Sequence, residues 1–167
     1  GSSAALLIDF LQQLSIEPTL YVPDRITEGY GPNPKAMAAL ADHHDLIICV
    51  DCGTLAHEAL EAARAADVIV LDHHLGAETQ PEARAVVNPN RQDETGDLAH
   101  LCAAAVVFMV LTQVARMMRE NGQTPPNLIN TLDLVALATV ADVAPLVGVN
   151  RAFVRQGLKV MGQRKRV

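Results

Sequence analysis

The sequence predicts an α/β fold: a mostly parallel sheet with covering helices, followed by a helical C-terminal half. Three observations predict it. Short continuous apolar runs, Leu46 to Val50 and Val68 to Leu71, alternate with segments of helical period, as strands joined by crossover helices do. Both runs stop at an aspartate, Asp51 and Asp72. Beyond Asn90 the alternation ends, and a polar loop over 91–97 leads into long helical patterns.

The elements follow in order. Ser3 to Leu14 sets Leu6, Leu7, Phe10, Leu11 and Leu14 at helical spacing. Thr19 to Val22 is a short β-prone run stopped by Pro23. Pro34 to His43 opens on proline, favoured in a first turn, and continues as a helix through Met37 and Leu40. Leu46 to Val50, LIICV, has the length and β-branched content of a strand buried on both faces. Thr54 to Ala66 is an alanine-rich helix with Thr54 as its N-cap. Val68 to Leu71 repeats the buried-strand pattern, and Ala85 to Val87 is a third, shorter strand closed by Asn88 and Pro89. Helices are expected over Leu101 to Glu120, Asn130 to Ala141 and Arg151 to Met161. The chain reads as one domain over 1–167, with an α/β part at 1–90 and a helical part at 91–167.

Composition narrows the function classes. Half of the 167 residues are apolar and 19% are charged, enough for one hydrophobic core and unlike a disordered chain. The longest apolar run, Leu101 to Leu111, has eleven residues, against roughly 18 for a membrane span. No membrane association is therefore expected. Three cysteines make no disulfide framework and no secretory leader is visible, which predicts a cytoplasmic setting. All 19 acidic residues and seven of the 13 basic ones lie within residues 1–150, leaving that stretch at −12. The last 17 residues hold six basic residues and no acid. Such polarity suits either an anionic partner or a solvated helix end.

Ligands of open parallel sheets bind beyond the carboxyl ends of the strands. There the sequence places Asp51-Cys52-Gly53-Thr54 and Asp72-His73-His74. One strand end of this kind is ordinarily a cap. Two neighbouring ends with converging carboxylate and imidazole favour a divalent-metal site for hydrolysis. Asp42-His43-His44 repeats the triplet but ends a helix before the strand at 46, on the opposite edge of the sheet, where the helix dipole suffices to explain it. Cys49 and Cys52 have no second cysteine pair to complete a zinc site; Cys49 reads as core and Cys52 as a small residue near the site. His57 and His100 are isolated. Asp142 closes the apolar segment 132–143, as either a solvated terminus or a carboxylate held by a cation. The loop YVPDRITEGYGPN at 21–33 is rich in charge, glycine and tyrosine for a connector.

Asp51-Cys52-Gly53 followed by Asp72-His73-His74 resembles the DHH phosphoesterase superfamily, whose fold is Rossmann-like. With the 21–33 loop, VDCGT at 50–54, VVNPN at 86–90 and LDLVALATVADVAPL at 132–146, the chain resembles the RecJ family within it, from about Ser3 to Met161. The resemblance implies a single-strand-specific 5′→3′ DNA exonuclease of repair and recombination, dependent on manganese or magnesium. It implies metal ligation by Asp51, His73 and Asp142, and a catalytic pair in which His74 contacts the scissile phosphate or orients the nucleophile while Asp72 supports a neighbouring histidine. Arg25, Glu28 and Tyr30 would lie near the substrate path. Single-stranded DNA is the implied partner, with other repair or replication proteins beside it.

The chain departs from the family pattern at its start, where Gly1-Ser2-Ser3 stands in place of an aspartate-rich strand end of the form D-x-D-x-D-G. The family's second domain is also not seen after Val167. The expectation is an internal piece of a larger enzyme, inactive alone. Two alternatives stay open: a phosphoesterase for small substrates such as oligonucleotides, cyclic dinucleotides or pyrophosphate, and a non-catalytic replication scaffold.

Overall fold

The computed structural model describes residues 1–164. In chain order the elements are α1 (Ser2–Gln13), α2 (Pro34–Ala41), β1 (Leu46–Val50), α3 (His57–Ala62), β2 (Asp67–Leu71), β3 (Ala85–Val87), α4 (Ala103–Glu120), a 3-10 turn (Leu128–Thr131), α5 (Leu132–Ala141) and α6 (Gly148–Met161). They form two compact units, one of residues 21–99 and the other of residues 1–20 with the chain from His100 onward. Residue 90 is therefore not where the compact units divide, and α1 groups with the C-terminal helices.

The first unit holds a three-stranded parallel sheet in the order β1-β2-β3. Val50 pairs with Leu71, and Leu71 with Val87, so all three strands end at one edge. Met37 and Ala41 of α2, and Ala59, Leu60 and Ala63 of α3 and its C-cap, cover Cys49, Val68, Val70 and Val86 to form its core. Asn33 caps α2 by accepting from the Ala36 amide at 2.9 Å, and Pro34 opens the helix as the sequence predicts.

Three local expectations are corrected. Thr19 to Val22 forms no strand: Pro18 and Pro23 bracket the run, and without a neighbour its backbone gains nothing from extension. β1 is not buried on both faces. It lies at the edge of the sheet, with Leu46 exposed and only Cys49 buried, whereas central β2 buries Val68, Val70 and Leu71. Thr54 does not cap α3, which begins three residues later behind Ala56, because the Thr54 side chain is bonded elsewhere.

Among the described residues the second unit contains helices and no strand. Residues 103–108 of α4 are continuously buried, as the eleven-residue apolar run predicts. α6 starts at Gly148, earlier than expected, where the Asn150 side-chain Nδ2 donates to the His100 and Pro145 carbonyls at 2.7 and 3.0 Å. Phe108 of α4 meets Phe153 of α6 edge to face, with centroids 5.3 Å apart. At Gly157, α6 lies so close to α5 that a Cβ would fall 2.2 Å from the Leu132 carbonyl oxygen and 2.5 Å from Ala136 Cβ. No helix among the described residues is long and apolar enough to cross a membrane.

This close approach makes Gly157 a sensitive position. Gly157→Ala improves helix propensity but forces α5 and α6 apart, and overpacking of this kind costs about 1–3 kcal/mol. The expected outcome is a lower urea midpoint with unchanged slope; equal or greater stability would show that the helices separate freely.

Candidate metal centre

The sheet delivers the site. Beyond β1 and β2 the pairing continues for one more bond each, Asp51 N–H to the Leu71 carbonyl (3.0 Å) and Asp72 N–H to the Val87 carbonyl (3.1 Å). Asp51, residues 72–74 and residues 88–90 thus leave the sheet along one edge. Asp42 to His44 precede β1 and lie at the other edge, as expected.

Asp51 takes a left-handed backbone, φ 64°, which ends the strand and re-aims its carboxylate. Gly53 follows at φ 111°, where a Cβ would come within 3.2 Å of both Cys49 and Val70. Only glycine fits that turn. Cys49 and Cys52 are free thiols, and Cys52 donates to the Val50 carbonyl at 3.5 Å; the neighbouring Cys49 thiol and burial push the Cys52 pKa up, while Cys52 holds that of Cys49 down. Cys49 is buried in the core as predicted.

Asp72 is almost completely buried, at 1% exposure. Its Oδ2 accepts from the Thr54 hydroxyl (2.6 Å) and amide (3.1 Å). Its Oδ1 accepts from the His73 amide (2.8 Å) and lies 2.7 Å from His74 Nδ1. Burial pushes the Asp72 carboxyl up, but these hydrogen bonds from Thr54, His74 and His73 outweigh it and hold the group below the ordinary carboxylate range. A carboxylate only accepts, so it fixes the proton on His74 Nδ1 and leaves Nε2 as the ring atom not engaged by Asp72.

Ligand atoms of Asp51, His73 and His74 lie within 4.8 Å of one another. His73 Nε2 is 3.4 Å from Asp51 Oδ1. One carboxylate and two imidazoles at this spacing fit a single divalent transition metal such as manganese. The structure thus places Asp51, His73 and His74 in one cluster. Asp142 belongs to the helical unit, where it is the exposed C-cap of α5. The next residue, Val143, is left-handed at φ 53°, an uncommon conformation for a β-branched side chain.

Of the loop residues, Tyr30 sits nearest the cluster. Its hydroxyl lies 3.5 Å from the Asp51 carbonyl oxygen, and its ring meets the His74 ring edge-on at 6.5 Å. Burial, then the Asp51 charge, raises the Tyr30 pKa. The Arg25 guanidinium stands 5.2 Å from the Tyr30 ring centroid, a cation–π contact. Glu28 is engaged within the loop, accepting from the Tyr21 hydroxyl and from the Asp24 amide. The Tyr21 bond lowers the Glu28 pKa and raises that of Tyr21.

The supporting roles of Thr54, Asn88 and Asn90 escaped the sequence reading. Asn88, 3% exposed, donates to Thr54 Oγ1 (2.9 Å) and to the His74 carbonyl (2.8 Å), and its Oδ1 accepts from the Asn90 amide. Asn90 donates to the His73 carbonyl (2.7 Å). Both histidine carbonyls are therefore held by side chains from the 86–90 segment, and Thr54 links that segment to Asp72. The available signal was the position of both asparagines just beyond a third parallel strand.

A folded-state carboxyl held below its unfolded value adds stability that is present above the unfolded value, about 3.9, and is lost as pH falls through the folded one. Wild-type stability is therefore expected to drop steeply below about pH 4. Asp72→Asn should destabilise the protein at neutral pH by about 1–3 kcal/mol, through mispaired donors, and flatten the acid slope. Urea titrations at several pH values test this; an unchanged slope would remove Asp72 as the anchor.

Residues 1–139 match the DHH family, N-terminal domain. Among relatives, the single-stranded-DNA-specific exonuclease RecJ of Dickeya dadantii (strain 3937) is 39% identical over 95% of this chain and 29% of its own length. RecJ of Bacillus subtilis (strain 168) is 35% identical over 99% of this chain and 20% of its own. The chain thus spans less than a third of the length of these relatives. A crystal structure of exonuclease RecJ bound to manganese superposes with a TM-score of 0.80 at 32% identity, covering 95% of this chain and 40% of that one. With most of its residues inside the matched domain, and with the DHH triplet at the strand-end edge, the chain belongs to the DHH family.

Proposed function

We propose that this chain is the metal-bearing part of a single-strand-specific DNA exonuclease that hydrolyses phosphodiesters from the 5′ end, in DNA repair and recombination. The observation that supports the reading best is the convergence of Asp51, His73 and His74 on one open edge of the sheet. In this reading the three residues hold manganese, with Asp142 as a further carboxylate ligand. Imidazole donors favour manganese over magnesium, which prefers oxygen alone. A divalent ion so bound supplies Lewis-acid stabilisation of phosphate charge and a more acidic water. The chain's own residues supply orientation. Asp72 keeps the proton on His74 Nδ1, Asn88 and Asn90 fix the two histidine carbonyls, and Tyr30, with Arg25 against its ring, stands beside Asp51 and His74.

Manganese binding to the chain, followed by calorimetry, is expected to weaken in Asp51→Ala and His73→Ala and to stay unchanged in His43→Ala. In the full-length protein, His73→Ala should cost more activity than the roughly 10–100-fold typical of losing a ligand's supporting partner, and His43→Ala should be nearly silent. Equal losses from both would overturn the assignment to this edge.

Taken alone, the 167-residue chain is expected to cleave DNA poorly. The strand-end cluster offers one carboxylate and two imidazoles, and the −12 charge over residues 1–150 repels phosphate. The assay is cleavage of 5′-labelled single-stranded DNA with manganese. Robust cleavage that vanishes in Asp51→Ala would show that these donors suffice by themselves.

A further inference from the structure

The helical unit carries a surface that the metal cluster does not use. Along α6, Asn150, Phe153, Val154 and Gly157 are buried, while Arg151, Arg155 and Lys159 are exposed. These three cations recur every fourth residue, so they form one stripe with a repeat of about 6 Å along the helix. They line an open groove of about 880 Å³ together with Leu146, Ala152 and Gln156. No acid occurs in the sequence after Asp142, and none of the ion pairs among the described residues involves the three cations. In a chain of net charge −6, three neighbouring cations without carboxylate partners form a concentrated positive field.

We propose that Arg151, Arg155 and Lys159 of α6 form a phosphate-binding stripe for the backbone of single-stranded DNA. The inference rests on the nuclease reading above and adds a place where the strand is held by the helical unit. Charge complementarity selects the occupant. A nucleic-acid backbone offers anions at regular short intervals, as the stripe offers cations, and two of the three are arginines, which pair with phosphate in bidentate fashion. No aromatic side chain lines the groove, so bases have nothing to stack on. Binding there is therefore through phosphate alone, independent of base sequence and strongly dependent on salt.

The test is fluorescence anisotropy of a labelled oligothymidylate with the 167-residue chain, in EDTA so that no cleavage occurs, over a range of salt. Each phosphate contact to a single strand contributes about 0.7 to the slope of log K against log salt, so R151A/R155A/K159A should lower the slope by about 2. Affinity at low salt should fall at least tenfold. Arg151→Lys with Arg155→Lys keeps the charge and should retain most of the slope. All substituted side chains are exposed, and circular dichroism confirms that the helix survives. EDTA removes divalent ions, so the outcome does not depend on the metal assignment, and His43→Ala at the other edge of the sheet should leave binding unchanged. An unaltered slope in the triple variant overturns the stripe while leaving the nuclease reading intact. No binding by the wild type at low salt overturns it also. A labelled polyglutamate peptide that binds as tightly as the oligonucleotide, and is lost in the triple variant, would assign the groove to an acidic protein partner instead.

Discussion

One buried carboxylate organises the strand-end edge. Asp72 has left water almost entirely, a large electrostatic penalty that persists only because every approach to its oxygens is occupied by a donor. Those donors come from the turn after β1, from the chain just past β2, and from a histidine ring. Through Thr54, the 86–90 segment beyond β3 joins the same network. The loops leaving three parallel strands are thus tied to one anion, and the geometry of the histidine pair follows from its ionisation.

The contrast between Asp51 and Asp72 shows how position decides role. Both immediately follow a strand, and the register sets Val50 beside Leu71. Asp72 remains inside and spends its oxygens on the fold. Asp51 turns left-handed, helped by Gly53, and keeps 42% of its side chain exposed beside His73. A carboxylate already saturated by hydrogen bonds is a poor metal ligand, whereas a partly exposed one facing two imidazoles is a good one. Two residues of the same type at equivalent strand ends therefore differ in what they are free to do: Asp72 supports the fold, and Asp51 is the one available to a metal ion.

Much of this was legible in the sequence. The runs 46–50 and 68–71 gave the strands, and their terminal aspartates gave the edge, because a parallel sheet places successive strand ends together. The separation of the triplet at 72–74 from its copy at 42–44 needed only the order of helix and strand. What stayed hidden depended on long-range hydrogen bonding. Thr54 looks like a helix cap by local preference, yet a buried carboxylate 18 residues away outcompetes the helix amides for its hydroxyl. Asn88 and Asn90 look like turn residues, and their donation to the histidine carbonyls emerges only when β3 is paired with β2. The run at 19–22 misled because β propensity without a neighbouring strand has no ladder to join. The grouping of α1 with the C-terminal helices joins segments some hundred residues apart, and periodicity within a window is blind to it.

Metal-dependent phosphodiester chemistry carries a built-in conflict of charge. Carboxylates are needed to hold a cation, yet they repel the phosphate that the cation is meant to meet. Mixing both signs at one place would let arginines pair with the ligand carboxylates and compete with the metal. Here Asp51 pairs with His73 rather than with a lysine or arginine among the described residues, and no acid follows Asp142 in the sequence that carries the α6 cations. Imidazole lessens the conflict further, since it ligates a metal without adding negative charge. In the proposed reading the histidines of the triplet would do more than complete a coordination set: standing where carboxylates could stand, they would lower the repulsion that an anionic substrate meets.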